Sequence, residues 1–288
     1  MKEQIPLDPA NRADNPKHEE SHRDKTHEVQ GNVAYRRLAI VNVAFIGLPG
    51  AGEGEWFLVD AGVFGTTAMI LGAAERRFGT HSRPAAILMT HGHFDHVGAL
   101  KELAERWNCP VYAHAQELPF LNGSTSYLPP DPSVGGGLMA AMSPLYPRGP
   151  MDLGRYLQVL PENGSIPGLP AWKWIHTPGH TPGHVSFWRE ADRTLIAGDA
   201  FITTRQESAY AVAVQKPEMH GPPMYYTPDW ENAHLSVQRL AALEPQVVVT
   251  GHGPAMRGPE MLRALQLLAK DFDRIAVPEH GRYVHHAH

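Results

Sequence analysis

The most informative segment of the chain is a run of metal-binding residue types between positions 90 and 96, Thr-His-Gly-His-Phe-Asp-His. It carries three imidazoles and one carboxylate. A donor set of nitrogen and oxygen suits zinc, and also iron, manganese or cobalt. Burying three imidazoles and a carboxylate this close together without a cation would be costly. The segment therefore predicts a metal site rather than an ordinary polar loop.

The elements that must position these residues can be predicted from the apolar runs before them. The run at 85–89, Ala-Ala-Ile-Leu-Met, predicts a buried strand that ends beside the segment. Further segments repeat this arrangement, each with His or Asp just beyond an apolar run and Gly or Pro beside it: 59–62, 177–184, 196–199 and 247–254. Glycine lets the backbone turn sharply and lets a metal approach closely. Loops on a rigid scaffold commonly carry catalytic residues, so these segments are candidates for one site.

With these five segments in order, the chain resembles the metallo-β-lactamase-fold metal-dependent hydrolase superfamily, in its glyoxalase II and lactonase-like branch. The resemblance runs from about Val33 to about Asp273. It implies an α+β fold, the four-layer αββα sandwich, with the metals at one edge between two sheets. The motifs are specific for fold and metal site and only weakly specific for substrate.

The resemblance also implies the ligands. Their expected roles form three sets: His91, His93 and His180 on a first metal, Asp95, His96 and His252 on a second, and Asp199 bridging the two. The expected cofactors are two Zn²⁺ per chain, with iron or manganese as alternatives. Each metal would keep a position for water or hydroxide, as a catalytic site needs. Asp95 and Asp199 are the candidate catalytic residues, and Asp95 is expected to accept a proton as well as bind metal.

Two further residues are expected to support the ligands without binding metal. The resemblance places Asp60 beside a ligand histidine, where a carboxylate fixes the imidazole tautomer. His184 follows His180 by four residues, a spacing that on a helix would put both on one face. Pro182 and Gly183 lie between them, and the residues at 185–188 predict a strand, so a helix that carries both histidines is not expected. A supporting role is therefore predicted for His184.

Length and composition predict one domain over 31–288, which the resemblance implies is a metallo-β-lactamase-like hydrolase domain, after a flexible arm over 1–30. The chain has 288 residues, 42% of them hydrophobic, which suits one large α/β layered domain. The arm is polar and lacks the apolar core of a signal peptide. No stretch approaches the eighteen or so apolar residues of a membrane span.

The single cysteine, Cys109, excludes an internal disulfide framework and fits a reducing compartment. A cytoplasmic protein without a membrane partner is expected.

Periodicity predicts the remaining elements. Strands are expected over 33–47, 55–60, 157–159, 172–175, 184–188 and 193–196, and helices over 66–78, 97–107, 232–243 and 259–275.

Two stretches, 118–150 and 203–229, fit no regular element. They are expected either to be insertions that wall the pocket or to serve packing or a homodimer contact. Their apolar and aromatic residues favour a small-molecule substrate of some hydrophobic bulk. The net charge of −5, without a basic patch, argues against nucleic acid.

The chain differs from several individual branches of the superfamily, and these differences narrow the class of substrate. The β-lactamase branch generally lacks the bridging aspartate, whereas this chain has Asp199. The 53 positions from Asp199 to His252 (252 − 199) leave no room for the domain that the nucleases insert. Quorum-quenching lactonases carry a tyrosine three positions after the bridging aspartate, where this chain has Ile202. Tyr210, Tyr225 or Tyr226 could fill its place if the loop folds back, and Tyr225 and Tyr226 are the candidate substrate contacts.

These features predict a dinuclear zinc hydrolase that cleaves a lactone, ester or thioester bond through a metal-bridging hydroxide. Two alternatives stay open. One is a persulfide-dioxygenase-like redox enzyme with a single iron on His91, His93 and either His180 or Asp199. The other is a non-catalytic binding protein on the same fold. Metal content distinguishes the first alternative from the hydrolase.

Overall fold

The computed structural model of the protein describes residues 5–13 and 26–284. The strands of this part are β1 (Ile5–Pro6), β2 (His27–Gln30), β3 (Val33–Leu38), β4 (Val41–Ile46), β5 (Phe57–Val59), β6 (Ala86–Leu88), β7 (Val111–Ala113), β8 (Leu157–Val159), β9 (Lys173–His176), β10 (Val185–Arg189), β11 (Thr194–Gly198), β12 (Glu218–Met219), β13 (Val247–Thr250) and β14 (Met256–Arg257). Its helices are α1 (Thr67–Phe78), α2 (Phe94–Val97), α3 (Leu100–Trp107), α4 (Leu118–Leu121), α5 (Leu138–Met142), α6 (Ala209–Val214), α7 (Trp230–Ala242), α8 (Gly258–Lys270) and α9 (Phe272–Ile275). None of these helices is both long and apolar enough to traverse a bilayer.

Most strands belong to two sheets. A seven-stranded sheet has the order β2-β3-β4-β5-β6-β7-β8, and a five-stranded sheet has the order β14-β13-β11-β10-β9. The first sheet is antiparallel from β2 to β5 and parallel from β5 to β8. In the second sheet, β11 and β13 are parallel and the other neighbours are antiparallel.

Three apolar layers hold the sheets and helices together. The middle layer lies between the two sheets and includes Val33 and Leu88 from one sheet and Phe187 from the other. A second layer joins the seven-stranded sheet to α1 and α3, and a third joins the five-stranded sheet to α7, α8 and α9. Successive residues of a strand point to opposite faces, so strands such as β4, β10 and β11, which are buried at every position, contribute to a layer on each side of their sheet. The predicted four-layer αββα sandwich is confirmed.

Three predicted elements are divided in the structure, among them the helix predicted over 259–275, which forms α8 and α9. The stretch 33–47 forms the hairpin β3–β4 rather than one strand, with Ala39 at φ 59° in the turn. The helix predicted over 97–107 is two helices, α2 and α3, separated at Gly98. A Cβ on Gly98 would lie 2.1 Å from the backbone N of Phe64, so only glycine permits this contact. Periodicity cannot reveal such breaks, because tertiary contacts set them.

The expectation that 118–150 and 203–229 lack regular elements is wrong. The first stretch contains α4 and α5, and the second contains α6 and β12. The α6 helix begins where the Ser208 side chain accepts a hydrogen bond from the Ala211 N–H. β12 exists because it pairs with β1 at the start of the chain, a partner far away in sequence.

Part of the predicted flexible arm is docked against the domain. Leu7 is buried, and the Ala13 N–H donates to the Ala255 carbonyl at 2.8 Å. β2 already pairs with β3 from His27 onward. The arm therefore does not behave as a loose segment over residues 5–13 and 27–30, because its apolar side chains and backbone groups find partners. Residues 1–4 and 14–25 lie outside the described part, and the predicted domain boundaries stay a prediction.

Candidate metal centre

The predicted site residues come together at one edge of the sandwich, between the sheets. β5 and β6 are parallel in one sheet, and β11 and β13 are parallel in the other. Parallel strands end at the same edge of a sheet, which is where open α/β sheets commonly bind ligands. The β9–β10 loop reaches the same edge, where the Val185 N–H donates to the Thr90 carbonyl at 2.9 Å. This backbone bond ties the two ligand-bearing loops to each other.

One group of candidate ligands consists of three buried imidazoles, His91, His93 and His180, here called the imidazole set. Their ring nitrogens all lie within 4.8 Å of one another. His93 Nδ1 faces His180 Nε2 at 2.9 Å. Burial is the main cause that lowers the pKa of each ring, to about 4 for His180. The three rings are therefore held neutral, which is the form that binds a metal.

A second group, the carboxylate set, consists of Asp95, His96 and His252. Their ligand atoms also lie within 4.8 Å of one another, and all three side chains are buried. His252 Nε2 lies 3.6 Å from Asp95 Oδ2. Burial by itself would lower the pKa of His96 and His252, but nearby carboxylates together outweigh it and raise the pKa of both, Asp199 with Asp60 for His96 and Asp199 with Asp95 for His252. Charge interactions with carboxylates therefore shape this half of the centre.

Asp199 lies between the two sets. Its Oδ2 is 3.4 Å from His180 Nε2 and 3.0 Å from His252 Nε2. Its Oδ1 is 3.6 Å from His96 Nε2. Burial would raise the pKa of Asp199, but His252 and His96 outweigh burial and hold it well below its ordinary value. An ionised carboxylate in this place has the position that the predicted bridge requires.

Three buried atoms of the centre have no hydrogen-bond partner: His91 Nε2, His96 Nε2 and Asp199 Oδ1. These residues also form a compact group of candidate ligands by themselves. Buried polar atoms are normally paired, and leaving them unpaired costs free energy. A cation among them would satisfy all three. Gly251 leaves the space open, since a Cβ there would lie 2.0 Å from Asp199 Oδ1. The nitrogen and oxygen donors therefore fit a pair of divalent zinc, iron or manganese ions.

Neighbouring oxygen atoms fix the orientation of four histidines. In each, Nδ1 has a partner: His91 with Thr90 Oγ1 at 3.0 Å, His96 with Asp60 Oδ2 at 2.8 Å, His180 with Thr227 Oγ1 at 3.1 Å, and His252 with the Ile40 carbonyl at 2.7 Å. The hydroxyls of Thr90 and Thr227 donate their own hydrogens elsewhere, so each accepts from Nδ1. Each ring is thus a tautomer with Nε2 left for a metal.

Asp60 makes contacts that fit the supporting role predicted for it. Its Oδ1 accepts from the Thr90 N–H and its Oδ2 from the Thr90 hydroxyl, both at 2.8 Å, while Oδ2 also contacts His96. Its backbone has φ 60°, a sparsely populated conformation that is enriched at functional sites. Asp60 thereby connects the ends of β5 and β6 to one ligand.

His184 is not in any group of candidate ligands among the described residues. Its Nε2 accepts from the backbone N–H of Asp199 at 2.9 Å, and its Nδ1 contacts Thr177 Oγ1 at 2.8 Å. Burial lowers its pKa to about 3, so the ring is neutral and can accept that bond. This position favours the supporting role predicted for it.

Sequence reasoning missed Glu117. This side chain is 0% exposed and lies between the two loops of the imidazole set. One carboxylate oxygen accepts from the Thr181 hydroxyl at 2.6 Å and the Gly183 N–H at 2.9 Å. The other accepts from the Gly92 N–H at 3.0 Å and from the Tyr127 hydroxyl. Glu117 therefore holds the loop of His91 and His93 against the loop of His180.

The one feature of the sequence that indicates Glu117 is the glycine in each ligand loop, Gly92 and Gly183. A Cβ on Gly183 would lie 2.7 Å from the Glu117 backbone N, and a Cβ on Gly92 would lie 2.6 Å from the Tyr127 hydroxyl. Glycine at both positions leaves room for Glu117 and Tyr127. Thr227, which orients His180, was also missed, because it lies 47 residues away from its partner in a stretch without a motif.

The predicted substrate contacts lie beside the centre. Tyr226 lines a cavity together with His93 and His180, and its ring centroid is 4.5 Å from that of His93. Its hydroxyl is buried without a hydrogen-bond partner. Tyr225 packs in a small apolar cluster with Val134. Burial and the charge of Asp95 raise the pKa of both phenols, so both remain protonated donors.

A family model of the metallo-beta-lactamase superfamily matches the chain from residue 36 to residue 252. A relative from Bacillus subtilis (strain 168), the probable metallo-hydrolase YflN, is 47% identical over 83% of this chain and 90% of its own length.

Solved structures with the same fold agree. A beta-lactamase domain protein from Burkholderia ambifaria has a TM-score of 0.62 at 20% identity, over 90% of this chain and 80% of its own. The di-iron-bound form of TTHA1623 has a TM-score of 0.51 at 26% identity, over 82% of this chain and 96% of its own. The comparisons support a metal-dependent hydrolase.

Proposed function

We propose that this chain, which belongs to the metallo-beta-lactamase superfamily, is a dinuclear zinc hydrolase that cleaves a lactone, ester or thioester bond. The observation that carries the proposal is the position of Asp199 between two complete sets of buried ligands, with one of its oxygens unpaired. One set alone would suffice for a single metal. Two sets joined by a carboxylate are the arrangement of a two-metal site.

The imidazole set and Asp199 would hold one metal, and the carboxylate set and Asp199 would hold the other. When bound, two divalent cations supply Lewis acidity and lower the pKa of water toward neutrality, which is the chemistry that hydrolysis of a carbonyl compound requires. The single shared carboxylate offsets part of the repulsion between two dications. Asp60, Glu117, Thr90 and Thr227 keep the donor atoms in place, so little reorganisation is needed on binding.

The chain's own groups account for the remaining steps. Asp95 has a carboxylate at the centre and can accept a proton during attack on the carbonyl carbon. The buried, unpaired Tyr226 hydroxyl can donate a hydrogen bond to the substrate oxygen that gains negative charge. Tyr226 lies in the stretch 203–229. Its hydroxyl would take the place of the tyrosine that lactonases carry three positions after the bridging aspartate.

The donor atoms favour a two-metal centre over a centre with a single iron. A mononuclear iron on His91, His93 and either His180 or Asp199 would leave Asp95, His96 and His252 buried together without a cation. The cost of such a cluster makes the dioxygenase the weaker candidate. Iron itself remains an alternative metal, since the related TTHA1623 structure is a di-iron form.

The test is metal analysis followed by a substrate panel. Protein purified without an added histidine tag and freed of metal by a chelator is reloaded with zinc, iron or manganese. Each form is assayed on matched lactones, esters and thioesters, and on a glutathione persulfide with oxygen uptake as the readout. Hydrolysis that requires about two equivalents of metal supports the proposal. Oxygen uptake with one equivalent of iron and no hydrolysis would contradict it.

A further inference from the structure

A cavity of about 250 Å³ opens directly onto the imidazole set. His93 and His180 form one end of its wall, and Phe120, Tyr127, Tyr226 and Tyr283 form much of the rest. A dry cavity of about 150 Å³ holds a benzene molecule. The space here therefore accepts a six-membered ring with a short chain between the ring and the metal centre.

Four Phe and Tyr rings contribute to the walls of this cavity. The rings of Phe120 and Tyr127 are stacked with centroids 3.8 Å apart, and Tyr127 lies 4.4 Å from His93. The Tyr127 hydroxyl is occupied by the bond to Glu117, and the Tyr283 hydroxyl donates to the Pro129 carbonyl at 2.6 Å. Both phenols thus present ring faces rather than free hydroxyls to the interior.

The cavity also lacks charge. Among the described residues that line it, none is Lys, Arg, Asp or Glu, and its polar groups besides the two imidazoles are hydroxyls. A charged group placed there would lose its hydration without gaining an ionic partner among the lining side chains. Another cavity, about 280 Å³ and lined by Arg205, Glu279 and His280, contains no residue of the metal centre. In the described part of the chain, the cavity beside His93 and His180 is therefore lined without charged side chains.

We propose that this cavity binds an uncharged aromatic or alicyclic group attached next to the scissile carbonyl, so that the substrate is a neutral, ring-bearing ester, lactone or thioester. This inference rests on the proposed function for the bond that is cleaved. The recognition itself depends on the aromatic walls and on the missing charge. A ring stacked against such walls gains more than its buried area alone provides.

The test compares matched esters that differ in one feature. Acetyl, phenylacetyl and 4-carboxyphenylacetyl esters of one alcohol vary the acyl side, and acetate esters of ethanol, benzyl alcohol and 4-carboxybenzyl alcohol vary the other side. In at least one series, kcat/KM should rise on the order of a hundred-fold from the small to the ring-bearing ester, as expected for burying a ring. The added carboxylate should remove this gain. Equal kcat/KM for the neutral and charged ring esters in both series would overturn the inference.

A pair of exposed leucines supplies a matched variant and control. Leu128 lines the cavity and is 58% exposed, whereas Leu235 on α7 does not line it and is 53% exposed. Leu128→Arg should lower kcat/KM for the neutral ring ester about ten-fold and raise it for the carboxylate ester, because the new cation pairs with the carboxylate. Leu235→Arg should leave both values unchanged. An equal effect of the two variants on both esters would contradict the placement of the ring.

Binding without catalysis separates this inference from the proposed function. Phenylacetamide and 4-carboxyphenylacetamide, which lack a readily cleaved bond, are titrated into the zinc-loaded protein with calorimetry as the readout. If the neutral amide binds at least ten-fold more tightly while no ester is hydrolysed, the proposed function fails and the cavity assignment stands. If esters are hydrolysed but the two amides bind equally, the cavity assignment fails and the hydrolase stands.

Discussion

The two ligand sets differ in how the protein holds them. The imidazole set has three neutral rings, and its loops are fixed from outside by the Glu117 carboxylate and by Thr227. The carboxylate set includes a charged ligand and lies beside Asp60, whose carboxylate contacts His96. One half of the centre therefore depends on positioning, and the other half depends on charge. Asp199 belongs to both halves, so changes to Asp199, to Glu117 and to Asp60 should have distinguishable effects.

The largest effect is expected for Asp199→Ala. This change removes the carboxylate that faces both sets and leaves His96 and His252 each without one of its anionic neighbours. Losing several kcal/mol of transition-state stabilisation corresponds to about a thousand-fold or more in kcat. Metal analysis should show less than two equivalents, with the second metal bound more weakly. Full metal content with normal turnover would show that Asp199 is not shared between the sets.

Cys109→Ala is the matched control for that experiment. Cys109 is buried and burial raises the pKa of its thiol to about 12, so it remains protonated and unreactive. It is not in any group of candidate ligands among the described residues. Turnover and metal content should match the unaltered protein, with a loss of stability on the order of 1 kcal/mol at most in chemical denaturation.

A smaller effect is expected for Tyr226→Phe, which tests the side of the centre that faces substrate. The variant removes only the unpaired hydroxyl beside His93. If that hydroxyl donates to the developing oxyanion, kcat should fall on the order of a hundred-fold with metal content unchanged. A rise in KM alone would mean that the ring only packs against substrate. Tyr225→Phe gives the comparison, because Tyr225 packs in the same apolar cluster as Tyr226 but is not among the residues that line the cavity with His93 and His180.

Glu117→Gln and Asp60→Asn form a pair that separates the two sets. In Glu117→Gln, an amide nitrogen replaces an oxygen that accepts two hydrogen bonds, so the loops of the imidazole set lose their common anchor. Supporting residues of this kind typically contribute ten- to a hundred-fold to metal affinity or activity. Glu117→Gln should weaken the metal on the imidazole set, and Asp60→Asn the metal on the carboxylate set.

Cobalt loading followed by visible absorption distinguishes these two outcomes, since the two positions have different ligands. Glu117→Gln and Asp60→Asn should each lose different cobalt absorption bands, because each weakens the metal on a different ligand set. If both variants lost the same bands, the proposal that positioning holds one set and charge holds the other would be wrong. The thermal midpoint of each metal-free variant shows whether loss of folding rather than loss of positioning explains the result.

The sequence predicts those parts of the centre that follow from local patterns. Each predicted ligand lies next to an apolar run, because a ligand loop must follow a buried strand, and the fold determines which strand ends meet. No apolar run marks Glu117 or Thr227 as part of the site, since their partners in the ligand loops lie 25 to 66 residues away and those contacts exist only in the folded chain. Similarly, helix periodicity predicts α1 and α7 well, whereas the two-residue β12 depends on its pairing with β1.

The most direct test of the two-metal centre is the metal content of zinc-loaded protein. After chelation, dialysis and reloading, the bound metal is measured by elemental analysis against protein concentration and by calorimetric titration. Two complete ligand sets joined by Asp199 predict two equivalents of zinc per chain, in two binding events of different enthalpy. A reproducible single equivalent, unchanged when more metal is added, would contradict the dinuclear centre.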